Sequence, residues 1–157
     1  MNWIIRNTRK LKFHTNLQIL LEPIEKEIQR FKWLVSDIEV NSSSIRSLPI
    51  NNEEDWFLIS AEEMQALRSS DTQVVWGVFS AIDRHNQILV DNIILPAAEG
   101  APQIWKNGNL QLQEAEVEII AFDSSCTIVK FTDIELSDKF KIYFDDAIEL
   151  EKYKWGK

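Results

Sequence analysis

The residue types that most often carry chemistry are scarce in this sequence. It has two histidines, His14 and His85, and one cysteine, Cys126. A hydrolytic triad needs a nucleophile, a base and an orienting group. His85 could be combined with the aspartate and serines of residues 123–125, but no glycines surround those serines as they do in a nucleophile elbow. Residues 123–125 are typical of a turn instead, and we assign no catalytic residue.

The same scarcity applies to metal and cofactor sites. A zinc site needs several Cys or His ligands at set spacings, and the three residues of these types lie far apart. Adjacent acids at 53–55 and 145–146 could bind Mg²⁺ or Ca²⁺, although such runs are typical of a solvated face. The four glycines stand alone, so no glycine-rich phosphate loop is present. We therefore predict no metal ligands and no cofactor.

Negative charge is what the sequence holds in excess. It has 25 Asp and Glu against 17 Lys and Arg, a formal net charge of -8. Residues 1–14 are basic and carry no acid, whereas residues 114–151 hold most of the surplus carboxylates. An acidic field repels phosphate backbones and attracts basic proteins. Composition therefore argues against nucleic acid as a partner and favours a basic protein.

Length and composition predict one soluble domain. A chain of 157 residues, 45% of them hydrophobic, is expected to form a single domain over residues 1–157. The longest apolar stretch, 74–82, is far shorter than the ~20 residues of a bilayer span. No signal peptide is recognised at the N-terminus, and a single cysteine requires no oxidising compartment. We predict no membrane association and a cytoplasmic location.

Helices that would position these residues are predicted at three places. Apolar residues at helical spacing favour a helix over 17–31, with Pro23 producing a kink or a new start. Capping-box patterns begin at Ser60 and at Thr132 and predict helices to about residues 69 and 144. Each of these segments has an apolar side for a sheet to cover.

Strands are predicted from apolar and β-branched runs. They lie at 33–40, 56–59, 74–83, 117–122 and 127–131, with an edge strand at residues 4–5 and a hairpin partner of 74–83 at 88–95. The turn at 123–125 makes the last two long strands a hairpin. Antiparallel strands with flanking helices predict an α+β fold, mainly an antiparallel β-sheet flanked by two or three helices.

Trp105 lies in the least regular part of the chain. Residues 96–112 contain two prolines and two glycines and are predicted to form a long loop, and long loops are often functional. Exposed tryptophans are typical of binding hot spots. We expect Trp105 to be a contact residue, with anchoring of the loop as the alternative.

Two stretches resemble a group of small acidic bacterial proteins. They are residues 76–81, with the sequence WGVFSA, and residues 118–125, EIIAFDSS, followed later by Phe140, 146–147 and 150–153. The resemblance covers roughly the C-terminal half and carries no active-site residues. Some proteins of this group resemble immunity proteins, which neutralise a toxin made by the same or a neighbouring cell. The resemblance thus implies an immunity-type inhibitor.

Charge and resemblance together predict a cytosolic acidic binding protein whose partner is a basic protein, such as a toxin or nuclease. Six carboxylates and one aromatic anchor are predicted to contact it: Glu53, Glu54, Asp55, Asp145, Asp146, Glu149 and Trp105. Two alternatives stay open. One is a small hydrolase or metal-dependent enzyme using His85 with nearby acids. The other is a regulatory or scaffolding domain, including a homodimer that pairs an edge strand.

Overall fold

Seven antiparallel strands form one sheet in the computed structural model, which describes residues 1–6, 8–42, 47–88 and 94–154. The strands are β1 Asn2–Ile5, β2 Phe31–Asn41, β3 Trp56–Ile59, β4 Gln73–Asp83, β5 Val117–Phe122, β6 Cys126–Phe131 and β7 Ile148–Glu149. The helices are α1 Leu17–Leu20, α2 Ala61–Arg68 and α3 Ile134–Tyr143. This confirms the predicted α+β fold. No helix in the described ranges is long and apolar enough to cross a membrane.

The order of the strands in the sheet is β3-β2-β4-β5-β6-β1-β7. One row of cross-strand neighbours crosses all seven strands: Trp56, Ser36, Val78, Ile120, Ile128, Ile4 and Ile148. Adjacent strands lie about 4.8 Å apart, so the two ends of this row are about 29 Å apart along the sheet. Residues just before β3 and just before β7 therefore lie at opposite edges.

Both faces of the sheet are covered. The three helices and the 3-10 turns Glu22–Ile24 and Ile28–Arg30 pack on one face, where Trp33 and Phe79 are fully buried. The other face lies under residues 94–116, which bury Ile104 against the sheet. Because a loop covers this second face, the hairpin strands β5 and β6 are buried on both sides.

The new start predicted at Pro23 is confirmed, but the segment that follows is not an α-helix to residue 31. The chain forms the short α1, then the 3-10 turns Glu22–Ile24 and Ile28–Arg30, and Phe31 already pairs with Asp83 in the sheet. Pro23 lies in the first turn of Glu22–Ile24, where its missing N–H is tolerated but prevents α1 from continuing. The apolar positions of this segment are buried as predicted.

Two predictions about strands are also wrong. Residues 88–95 cannot be the hairpin partner of β4 along its length, because β2 and β5 occupy its two sides. Within that range, residues 88, 94 and 95 are not in a strand, and residues 89–93 lie outside the described residues. β1 is not an edge strand, since it pairs with β6 on one side and the two-residue β7 on the other.

The two capping predictions have different outcomes. The capping box of α2 is confirmed: Glu63 N–H donates to the Ser60 hydroxyl at 3.1 Å, and Ser60 N–H donates to the Glu63 carboxylate at 3.1 Å. In α3 the cap is Asp133 rather than Thr132. The Asp133 carboxylate accepts from the N–H of Glu135 at 2.7 Å, because a carboxylate is the stronger acceptor at a helix N-terminus.

Candidate binding surfaces

The first group of predicted contact residues lies in the loop before β3. Glu53, Glu54 and Asp55 are all exposed. Glu53 N–H donates to the side-chain oxygen of Asn51 at 3.0 Å, which fixes the turn. None of the three carboxylates forms an ion pair with a Lys or Arg that the structure describes. Within the described ranges, their charges therefore act on the surroundings without a paired cation.

Asp37 joins this group and was not predicted from the sequence. It lies in a bulge of β2, where the register with β4 shifts between Ser36 and Glu39, and its φ is 51°. Left-handed backbone of this kind is tolerated by aspartate better than by most residues, and a bulge redirects its side chain. The Asp37 carboxylate accepts from the N–H groups of Ala98 at 2.8 Å and Glu99 at 2.9 Å.

A pocket of about 380 Å³ opens between the bulge and the loop. Three carboxylates line it, those of Asp37, Glu54 and Asp55, and no Lys or Arg is among its described lining residues. Its opposite wall is held in place because the Ser36 hydroxyl donates to the Pro96 carbonyl at 2.6 Å. We call Asp37, Glu53, Glu54 and Asp55 the acidic edge.

The second predicted group lies at the opposite edge of the sheet. Asp145 and Asp146 precede β7 and line a cleft with Arg9 and Lys10, so nearby basic side chains offset their charge. Glu149 forms an ion pair with Lys152 at 2.9 Å, and the hydrogen bond from Lys152 lowers the pKa of Glu149. The structure therefore does not bring the six predicted carboxylates onto one surface.

Trp105 lies apart from the acidic edge. It ends the 3-10 helix Pro102–Trp105 and is partly buried. Its ring meets that of Phe122 edge-on at 5.0 Å and stacks with that of Tyr153 at 6.1 Å. Such aromatic contacts are typical of a side chain that anchors its loop. They favour the second role predicted for Trp105, that of a loop anchor, over contact with a partner. Trp155 lies outside the described residues.

Beneath the loop, Lys130 and Glu118 form a buried attachment that sequence analysis missed. The Lys130 ammonium is fully buried and donates to the carbonyls of Asn109 at 2.8 Å, Lys106 at 3.0 Å and Gln103 at 3.3 Å. The Glu118 carboxylate accepts from the N–H of Gln111 at 2.7 Å. Charge-assisted hydrogen bonds thus join three carbonyls and one N–H group of the loop to the neighbouring strands β5 and β6.

Lys130 and Glu118 are direct cross-strand neighbours, and Ser80 is the next residue in the same row. One Glu118 oxygen and the Ser80 hydroxyl are buried and have no hydrogen-bond partner among the residues that the structure describes. Burial raises the pKa of Glu118, although Gln111 and Lys130 oppose this effect, and burial lowers the pKa of Lys130. Lys130, Glu118 and Ser80 therefore form a buried polar row with a structural role. Its unsatisfied oxygens cost stability.

The residues considered for catalysis are not brought together. His85 is exposed on the turn after β4, and its ring accepts from the Arg84 guanidinium at 3.3 Å. The carboxylate of Asp83 bonds the backbone N–H of His85, not the ring. Cys126 is buried, and burial raises the pKa of its thiol to about 11. No three His, Cys, Asp or Glu side chains in the described ranges are placed to hold a metal ion.

No known protein family, curated protein or solved structure matches this chain in the comparisons. Function is therefore inferred from the geometry of the described residues. This geometry singles out the acidic edge, where three carboxylates line a pocket that has no Lys or Arg among its described lining residues.

Proposed function

We propose that this protein is a cytoplasmic acidic binding protein whose acidic edge receives a basic surface of another protein. An immunity-type inhibitor of a basic toxin or nuclease is the form of this function that the sequence resemblance implies. The observation that carries the proposal is the set of carboxylates around one pocket, with no Lys or Arg among its described lining residues.

Glu53, Glu54 and Asp55 form no ion pair with a described Lys or Arg, which supports a partner of opposite charge. Like charges that lie close together repel, and Glu53, Glu54 and Asp55 are adjacent in the chain and exposed. A cation from a partner relieves this repulsion and gains charge-assisted hydrogen bonds. The pocket gives room for one long basic side chain to enter between Asp37 and Asp55, which is the arrangement typical of a buried anchor.

Self-association through β3 is the second candidate, because β3 ends the described sheet and Leu58 on it is 43% exposed. β3 has only four residues, so two copies paired along it would form a short seam. Each copy also carries a net charge of -8, and this repulsion favours a basic partner over a second copy. Light scattering at low salt is expected to show a monomer, and a dimer would support the scaffolding alternative.

The expected partner of an immunity-type inhibitor is a toxin encoded by the neighbouring gene. Titration calorimetry with the purified product of that gene tests the proposal. The test variant carries Glu53→Gln, Glu54→Gln and Asp55→Asn, which preserve shape and remove charge. We expect it to bind at least about tenfold more weakly, equivalent to about 1.4 kcal/mol. These side chains are exposed, so folding is expected to be retained.

The matched control carries Asp145→Asn, Asp146→Asn and Glu149→Gln, which remove the same formal charge at the other edge. It is expected to change the dissociation constant by less than about threefold. No binding by wild type at micromolar concentration and low salt contradicts the proposal. Equal weakening in both variants contradicts the assignment to the acidic edge.

A further inference from the structure

A basic cavity lies at the end of β1, in a protein that is otherwise acidic. Its volume is about 520 Å³, and the segment that follows β1 lines most of it. Arg6, Arg9, Lys12 and His14 are among its lining residues, and Asp146 is the one carboxylate among those described. Asp145 lies in the adjoining cleft beside Arg9, but no ion pair joins Arg6, Arg9 or Lys12 to a carboxylate that the structure describes.

The cations of this cavity are available to a ligand. Arg9 and Lys12 are exposed and form no ion pair or side-chain hydrogen bond with the described residues. The Arg6 guanidinium donates to the Tyr153 hydroxyl at 3.3 Å, a neutral acceptor. Asp145 and Asp146 offset part of this positive charge, and an anion that enters the cavity would offset more of it.

The segment is anchored on both sides of Leu11 and Phe13. On one side, the Lys10 ammonium donates to the Tyr143 carbonyl and lies 4.2 Å from the centre of its ring. On the other side, Thr15 is fully buried with φ 57°, and its hydroxyl bonds that of Thr127 at 2.8 Å. A β-branched residue in left-handed backbone is strained and persists only where the surroundings hold it.

The cavity also has an apolar part. Leu11 and Phe13 line it and are partly exposed to it. Burial and the charge of Arg6 lower the pKa of His14, which favours the neutral imidazole, a form with one donor and one acceptor nitrogen. A ligand that fits has an anionic group for the arginines and an apolar or aromatic portion for the side chains of Leu11 and Phe13.

We propose that this cavity binds a small phosphate-bearing molecule with an aromatic or apolar portion. Arginine presents a planar fork of donors that matches phosphate oxygens, and lysine adds charge. Arg6 and Arg9 hold the phosphate, and Phe13 contacts the apolar portion. This site is separate from the acidic edge and does not depend on the proposed basic partner.

Phenyl phosphate and inorganic phosphate are suitable probes, followed by calorimetry or by backbone NMR shifts at low ionic strength. We expect saturable binding of phenyl phosphate, with weaker binding of inorganic phosphate, and loss of at least about tenfold in affinity in the Arg9→Gln, Lys12→Gln variant. The control variant, Lys26→Gln with Lys154→Gln, removes two exposed lysines elsewhere and is expected to bind as wild type does.

Three results would overturn the proposal. The first is no saturable binding of either probe up to about 10 mM, which corresponds to less than about 3 kcal/mol of affinity. The second is equal weakening in the test and control variants, which indicates non-specific attraction. The third is tighter binding of a short single-stranded oligonucleotide than of phenyl phosphate, which indicates a nucleic-acid surface instead.

Discussion

Lys130 is the residue on which attachment of the loop to the sheet most depends. Its ammonium donates to three loop carbonyls, and it is fully buried. Lys130→Met removes these donors and leaves Glu118 without its neighbouring cation, so we expect the free energy of unfolding to fall by about 3 kcal/mol or more. Urea unfolding measures the change. The exposed Lys154→Met should change it by less than about 0.5 kcal/mol, and similar losses in both variants contradict this role.

The contribution of Glu118 to stability is expected to fall as pH rises, the reverse of an ion-paired carboxylate. Burial raises its pKa above 4.5, so the folded state binds this proton more tightly than the unfolded chain does. The resulting stabilisation is complete below the unfolded pKa and is lost as pH rises through the folded pKa. We expect the stability of wild type relative to Glu118→Gln to fall as pH rises above 4.5, measured by urea unfolding. A difference that is independent of pH contradicts this.

The sequence contained a signal for Lys130 and Glu118. Both are charged residues within otherwise apolar strands, and both lie six positions from Ser124 in the predicted turn. A register centred on that turn makes them cross-strand neighbours. What the sequence could not supply is their set of loop partners, because these depend on how residues 94–116 pack over the sheet. The role of Asp37 depends likewise on a bulge without a local sequence signature.

At the scale of elements, the cap of α3 can be tested by comparing two alanine variants. Asp133 caps the first turn, whereas the Thr132 hydroxyl donates to the Glu116 carbonyl at 3.3 Å outside the helix. Asp133→Ala is expected to lower the free energy of unfolding by about 1 kcal/mol, and Thr132→Ala by less than about 0.5 kcal/mol. Thermal unfolding monitored by circular dichroism measures both. A larger effect of Thr132→Ala would restore the capping box read from the sequence.

Local pattern was sufficient for elements that local interactions determine. β3, α2 and the β5–β6 hairpin lie where apolar runs, capping and turn residues placed them. Local sequence pattern gave wrong predictions where pairing between strands distant in sequence decides which element forms. Phe31 continues the helical spacing of the preceding segment but is drawn into β2, and β4 takes β5 as its neighbour instead of residues 88–95. Both choices depend on contacts that are remote in sequence.

At the scale of the whole molecule, the fold divides the charge that the sequence holds. The acidic residues before β7 lie beside the basic segment after β1, and the acidic edge near β3 lies about 29 Å away along the sheet. Net charge alone could not reveal this division, because it depends on strand order. Two surfaces of opposite sign result: the acidic edge, which we propose binds a basic protein, and the basic cavity, which we propose binds a small anion.

If the acidic edge steers a basic partner to this protein, the association rate constant depends on the salt concentration. Stopped-flow mixing with the neighbouring gene product, from about 0.05 to 0.5 M salt, should show the rate constant of wild type falling at least about tenfold. The Glu53→Gln, Glu54→Gln, Asp55→Asn variant should show a much smaller fall. A rate constant for wild type that does not change with salt, or the same decline in the variant, contradicts steering by the acidic edge.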